Sequence, residues 1–188
     1  MRVALFGGSF NPPHLGHQFV GLYVLETQPV DELWLLPTFQ HPFDKPLEPF
    51  ADRFAMCRLA AAALGPRARV SDIEAQLGGA SRTLRTVQRL IRDWPGVAFS
   101  LVIGADLVSE VDTWFGGEEL RQTVPFIVVN RGGHAAANSS LVAMPSISST
   151  AVREGIKAGR EVGHWVPRTV LDYIAPRGLY ESPHPNRT

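Results

Sequence analysis

The stretch that most limits what this chain can fold into is Val3-Ala4-Leu5-Phe6-Gly7-Gly8-Ser9-Phe10-Asn11-Pro12-Pro13-His14-Leu15-Gly16-His17. A short apolar run with strand character breaks at a Gly-Gly pair, passes through a proline-stiffened loop and enters a segment with apolar residues at helical spacing. The succession it predicts is strand, anion-binding loop, helix. Two glycines at the end of a buried strand permit a tight turn and let a ligand approach main-chain N–H groups with no side chain in between. The donors of Gly8, Ser9 and Phe10 could then cradle an anion. Pro12 and Pro13 fix φ and hold the loop extended, so His14 and His17, three apart across Gly16, meet at the start of the next helix. Two imidazoles at a helix N-terminus favour developing negative charge. A metal-binding pair or two surface histidines would also explain an isolated His-x-x-His, but neither needs the Gly-Gly-Ser-Phe-Asn-Pro-Pro run before it.

The rest of the chain alternates in the same manner. A helix is expected over Leu15 to Leu25, ending before Pro29, and a buried strand over Glu32 to Pro37, because a short continuous apolar run suits a sheet covered on both faces. An alanine-rich helix follows over Asp52 to Leu64, stopped by Gly65-Pro66, and then a short third strand over Arg69 to Glu74. Thr83 to Trp94 carries Leu84, Val87, Leu90 and Ile91 on one helical face, with Ser81 or Thr83 suited to cap it. Val97 to Asp106 reads as a central strand, followed by a helix over Leu107 to Val111. Pro125 to Asn130 reads as another strand and Leu141 to Met144 as a last short one. The segment Ser146 to Arg153 is a helix start, and Val166 to Ile174, led by Pro167, is a closing helix. Gly132 to Ser140 is a loop within the domain rather than a linker. The fold class is α/β, a doubly wound and mostly parallel sheet with ligands across the strand C-termini. At 188 residues it forms one domain spanning 1–188, with a small C-terminal helical portion and a frayed tail over 181–188.

Charge and cysteine content narrow the function classes. With 18 basic and 18 acidic residues the net charge is zero, which argues against a nucleic-acid or membrane-surface binder. The single cysteine, Cys57, excludes an internal disulfide and a cysteine-based zinc site, and it suits a buried helical position. No signal-peptide order and no apolar run of about 20 residues is present, so a cytoplasmic protein is expected.

Further candidate groups lie after the expected strands. Lys45 follows the second strand in a proline-rich and aromatic loop, where it either contacts a phosphate or is solvated; His41 in the same loop is a weaker candidate. Gly104 permits close ligand approach, and Asp106, just beyond the strand, either accepts hydrogen bonds from ribose hydroxyls or caps the next helix. Ser149 and Thr150 at a helix start, with Arg153 one turn on, suit an anion. Arg131 meets a phosphate or solvent.

Gly7 to His17 resembles the GG[ST]F[DN]PxHxGH signature of the nucleotidyltransferases that share an HxGH element with class I tRNA synthetases. Ile147-Ser148-Ser149-Thr150-Ala151-Val152-Arg153 resembles their second signature, ISSTxIR, with Val152 standing for Ile. Within that superfamily the chain most resembles the bacterial nicotinate mononucleotide adenylyltransferases. The resemblance implies a Rossmann-like nucleotidyltransferase fold and adenylyl transfer from ATP to nicotinate mononucleotide in NAD biosynthesis, giving the dinucleotide and pyrophosphate, with Mg²⁺ carried in on ATP and no dedicated protein ligands for a metal. It implies catalytic roles for His14, His17, Lys45 and Arg153, and ATP contacts from Gly7, Gly8, Ser9, Phe10, Gly104, Asp106, Ile147, Ser148, Ser149 and Thr150. Nicotinate mononucleotide would meet Ser81, Arg82, Thr83, Lys45 and Trp114. By itself Trp114 reads as core packing; by resemblance it stacks on the pyridine ring. Arg82 stands where the family has an aromatic in a Ser-Tyr-Thr pattern, and an arginine near the pyridine carboxylate would favour acid over amide. The rival readings are the same chemistry on nicotinamide mononucleotide or phosphopantetheine, and a nucleotide-sensing module without turnover. Whether the chain is a monomer or homo-oligomer is not encoded in any of these features.

Overall fold

The computed structural model describes residues 1–43, 45–130 and 144–181. Arg131, the Gly132 to Ser140 loop, residues 141–143 of the expected last strand and the tail from 182 onward lie outside the described residues. Within them, strands β1 (Arg2–Gly8), β2 (Glu32–Pro37), β3 (Ala68–Val70), β4 (Ala98–Gly104) and β5 (Phe126–Val129) form one parallel sheet in the order β3-β2-β1-β4-β5. The connecting helices are α1 (Leu15–Thr27), α2 (Phe50–Ala62), α3 (Ile73–Leu77), α4 (Thr83–Asp93), a 3₁₀ helix over Ala105–Thr113 and α5 (Gly117–Thr123); α6 (Ser149–Lys157) and α7 (Arg168–Ile174) follow β5.

The pleat sorts the strand residues onto two faces. Val3, Leu5, Trp34, Leu36, Phe99, Leu101 and Ile103 pack with Leu84, Val87 and Leu90 of α4 and Leu120 of α5. Ala4, Leu33, Leu35 and Val102 face the other way, onto Val20, Val24 and Leu25 of α1 and Cys57 and Ala61 of α2. Both faces being covered is why the strands read as continuous apolar runs. A third cluster seats Val152 of α6, and Val170 and Ile174 of α7, against Met56 and Ala60 of α2. Winding reverses at β1, with β2 and β3 on one side and β4 and β5 on the other, so a crevice opens beyond the carboxyl ends of β1 and β4.

The sequence expectations differ from the fold in a few places. The third strand is Ala68–Val70, not Arg69 to Glu74. Ile73 joins the core and Glu74 Oε1 accepts the Thr86 hydroxyl at 2.7 Å, so the chain turns off the sheet edge into α3 to reach α4. The helix after β4 is 3₁₀ and is capped by Gly104, which places Asp106 in its first turn rather than at its cap. Neither Ser81 nor Thr83 caps α4: the cap residue is Arg82 and no side chain bonds the helix end. α5 was not foreseen, since seven residues opening on glycine carry no capping signal. Among the described residues no helix is long and apolar enough to cross a membrane.

Candidate active site

The two histidines interlock. His14 is the cap residue of α1 and is buried; its main-chain N–H donates to His17 Nδ1 at 3.1 Å, while the His17 N–H donates back to the His14 carbonyl at 2.9 Å. The rings stack with centroids 3.7 Å apart. A main-chain N–H can only donate, so His17 Nδ1 accepts, and the neutral ring carries its proton on Nε2. Gly16 leaves the His14 ring its place. A methyl group on it would lie 3.0 Å from His14 Nδ1 and 3.1 Å from its Cε1. Phe10 takes a φ of +44° and buries its ring edge-on to Phe6 and 4.8 Å from the His17 ring. A left-handed non-glycine residue costs roughly 1–2 kcal/mol, which burial of a phenyl ring offsets.

The second signature docks on the first. Ser148 caps α6 by accepting the Ala151 N–H at 3.1 Å, leaving Ser149 to donate from Oγ to the Pro12 carbonyl at 2.8 Å. Arg153 donates from Nη1 to the Asn11 carbonyl at 2.8 Å and from Nη2 to Thr150 Oγ1 at 3.2 Å. Ile147 packs in the third cluster. Segments over 130 residues apart thus form one unit.

A cavity of about 470 Å³ opens at the crevice, within the usual range for a small-molecule site. Among the described residues its wall takes Gly7 and Gly8 from the end of β1, Ser9 and His14 from the loop that follows, His17 from α1 and Gly104 from β4. On the far side stand Thr38, His41, Ser81, Thr83 and Trp114. Phe10 lies beneath the loop, Lys45 is exposed, and Arg82, Asp106, Ile147, Ser148, Ser149, Thr150 and Arg153 flank the cavity without lining it. The far wall is built from two joined loops: Ser81 Oγ accepts the Phe39 N–H at 3.0 Å and the Ser81 N–H donates to the Gln40 carbonyl at 2.9 Å. The Arg82 guanidinium lies over the Phe115 ring, 5.6 Å from its centroid. Trp114 packs on the core and reaches the cavity from a turn closed by Gly116, whose φ of +64° favours glycine and where a methyl group would lie 2.3 Å from Leu84 Cδ2 and displace that side-chain end. Burial, and secondly the charge of Lys45, pull the His41 pKa below its ordinary value.

Three residues of the site carry no chemistry that sequence reasoning assigned. Asn11 Oδ1 accepts both the Glu48 N–H at 3.2 Å and the Tyr180 hydroxyl at 3.0 Å, tying the loop after β1 to the C-terminal segment. Burial raises the Tyr180 pKa far above the ordinary range. Arg53, on α2, is 1% exposed, and its partners among the described residues are main-chain carbonyls, those of Ser9, Thr38, Phe39 and Glu48. Its signal was available: Arg53, Met56, Cys57 and Ala60 share one helical face, and a cation on a core stripe requires buried partners.

Comparison with known proteins adds relatives. A cytidylyltransferase-like family model matches residues 5–155. A probable nicotinate-nucleotide adenylyltransferase of Anaeromyxobacter dehalogenans is 42% identical over 182 residues, covering 95% of this chain and 96% of that protein. One of Thermus thermophilus is 36% identical over 186 residues, with 96% and 100% covered. Among solved structures, Plasmodium falciparum nicotinic acid mononucleotide adenylyltransferase complexed with NaAD superposes with a TM-score of 0.83 over 95% of this chain and 97% of that one, at 20% identity, a likeness of fold.

Proposed function

The chain belongs to the cytidylyltransferase-like family, among its nicotinate-nucleotide adenylyltransferases, and from that premise we propose how it transfers the adenylyl group of ATP to nicotinate mononucleotide. An oxygen of the mononucleotide's phosphate attacks the α-phosphorus of ATP in line. The bond from that phosphorus to the oxygen bridging to the β-phosphorus breaks, and pyrophosphate leaves with the electron pair. The nucleophile is already an anion at neutral pH, so no strong general base is required, and the rate must come from positioning and charge stabilisation.

The observation that carries this reading is the interlocked His14–His17 pair at the N-terminus of α1, facing a cavity at the point where winding reverses. With Nδ1 engaged, His17 presents Nε2–H as a fixed donor to the α-phosphoryl oxygens as their charge grows. His14 and the α1 dipole act on the same group. Gly7, Gly8, Ser9 and Phe10 supply the backbone around the triphosphate, with Gly104 and Asp106 toward the ribose. Ile147, Ser148, Ser149 and Thr150 hold the start of α6 against it. Arg153 has two of its five N–H donors engaged on Asn11 and Thr150 and turns the others to the leaving phosphates. Lys45, whose charge is felt by His41 in the cavity wall, adds positive potential at the mouth. Trp114, Ser81 and Thr83 receive the pyridine nucleotide, and Arg82 beside them offers its carboxylate a cation. Mg²⁺ enters bound to the phosphates of ATP and keeps most of its waters.

The test is pyrophosphate release from ATP and Mg²⁺ with nicotinate mononucleotide, nicotinamide mononucleotide and phosphopantetheine in parallel. A strong preference for the first is the expected result. Release with none of them, alongside measurable ATP binding, would overturn the reading in favour of a nucleotide-sensing module.

A further inference from the structure

Arg53 stands behind the cavity, not in it, and the bonds it makes join the two sides of the site. Its Nη1 donates to the Ser9 carbonyl at 3.0 Å and to the Thr38 carbonyl at 2.7 Å, so one nitrogen spans two residues that both line the cavity. Nη2 reaches the Phe39 carbonyl at 3.2 Å and Nε the Glu48 carbonyl at 2.8 Å. The Phe50 ring lies 5.6 Å from the guanidinium carbon. In a trans peptide the C=O and the following N–H point in opposite directions. Turning the Thr38 carbonyl to Arg53 therefore aims the Phe39 N–H away from it, and that N–H donates to Ser81 Oγ. A continuous run of hydrogen bonds thus leads from Ser9 through Arg53 and Phe39 to Ser81. An apolar residue on this stripe of α2 would pack as well with no charge to desolvate, so a planar cation here answers the geometry of two loops, the one after β1 and the one between β2 and α2, rather than the needs of the core.

We propose that Arg53 is a positioning residue that couples the two substrate sites, so that ATP bound against Ser9 orders the Phe39–Ser81 wall for the acceptor, and the acceptor in turn tightens ATP. The coupling rests on the function proposed above, and thermodynamic linkage requires it to be the same in both directions.

The direct test is the Kd of a non-hydrolysable ATP analogue with and without saturating nicotinate mononucleotide. In the unaltered chain the acceptor should tighten the analogue by at least about fivefold. Arg53→Lys keeps the charge, but its three donors sit on one atom and cannot reproduce the guanidinium fork that reaches four carbonyls from three nitrogens. It should bring that ratio close to one and lower kcat about tenfold or more, with each separate Kd changed less than about threefold and the protein still folded at the assay temperature. A ratio near one in the unaltered chain, or an unchanged ratio in folded Arg53→Lys, overturns the proposal. A fall in activity matching only the fraction unfolded does so too. Should Arg53→Lys not fold, amide exchange in the unaltered chain decides: the ATP analogue alone should slow exchange at Phe39 and Ser81, and unchanged protection there overturns the coupling. This last measurement needs no acceptor, so it is read independently of which acceptor the enzyme turns over.

Discussion

The two sides of the cavity are built to different standards. On the phosphate side nearly every group is held from behind: the carbonyls of Asn11 and Pro12 by Arg153 and Ser149, His17 by the His14 N–H, Ser9 by Arg53. On the acceptor side the main chain is tied as well, Thr38 and Phe39 by Arg53 and Phe39 and Gln40 by Ser81, but the side chains are looser: Phe43 and Phe115 are 79% and 58% exposed, Lys45 is exposed, and the Arg82 guanidinium rests on the Phe115 ring. On the proposed reading the phosphate side stabilises charge on one reacting group, and donors that need no reorganisation do this best. The acceptor side must admit one nucleotide and release another. Side chains are held most closely where the proposed reaction develops charge.

The sharpest way to break this contrast is His17→Ala. Removing one fixed donor should lower turnover by roughly 10²–10³ and leave ATP affinity nearly intact, which steady-state kinetics beside a direct binding titration would show. Equal losses of binding and turnover would mean that His17 holds the ground state instead. Gly16→Ala probes the same side more gently, since it keeps both imidazoles but presses a methyl group on His14 at 3.0 Å. A displacement of a few tenths of an ångström should lower kcat about tenfold, and wild-type kcat would show that the phosphate side tolerates more than its packing implies.

Tyr180→Phe tests the tie from the C-terminal segment. Asn11 Oδ1 would keep the Glu48 N–H and lose the Tyr180 hydroxyl, so the cost should be near that of one hydrogen bond, about 1 kcal/mol. In a domain of this size that lowers Tm by about 2–4 °C, measured by thermal melting. Arg82→Ala tests the looser side. A partly buried cation on a cavity edge open to water contributes about 1 kcal/mol or less to an anionic partner, so the preference for acid over amide acceptor should fall about fivefold, read as the ratio of kcat/KM values; an unchanged ratio would remove Arg82 from acceptor recognition.

The same contrast governs what the sequence disclosed. The apolar runs of β1, β2, β4 and β5 are short-range patterns, and so is the strand-loop-helix signature around His14 and His17, because both are written in consecutive residues. α3 was misread because the turn off the sheet is decided by Glu74 meeting Thr86, twelve residues away. Arg53, Asn11 and Tyr180 act through partners that folding alone brings near: Arg53 reaches Ser9 across 44 positions, and Tyr180 reaches Asn11 across 169. Ser81 read as a helix cap, yet its hydroxyl serves the Phe39 N–H of another loop. Residue types were legible wherever the chemistry is local; the cross-ties that make the phosphate side rigid were not, apart from the cation on the core stripe of α2.

The smallest expected effect concerns His41 and Lys45 on the acceptor side. The folded state holds the His41 pKa below its ordinary 6.5, first by burial and second by the Lys45 charge. Native His41 therefore binds fewer protons than the unfolded chain at mildly acidic pH, and its contribution to stability is present above about 6.5 and declines as pH falls below it. Lys45→Ala removes only the second cause, so the His41 pKa should rise while staying below the unfolded value, observable by NMR titration of the ring. Nicotinate mononucleotide should move it in the same direction in the unaltered chain, because a phosphate within reach of both side chains favours the imidazolium as it neutralises the ammonium. If Lys45→Ala shifts His41 and the ligand does not, Lys45 acts on the loop alone and the phosphates lie wholly within reach of the rigid side.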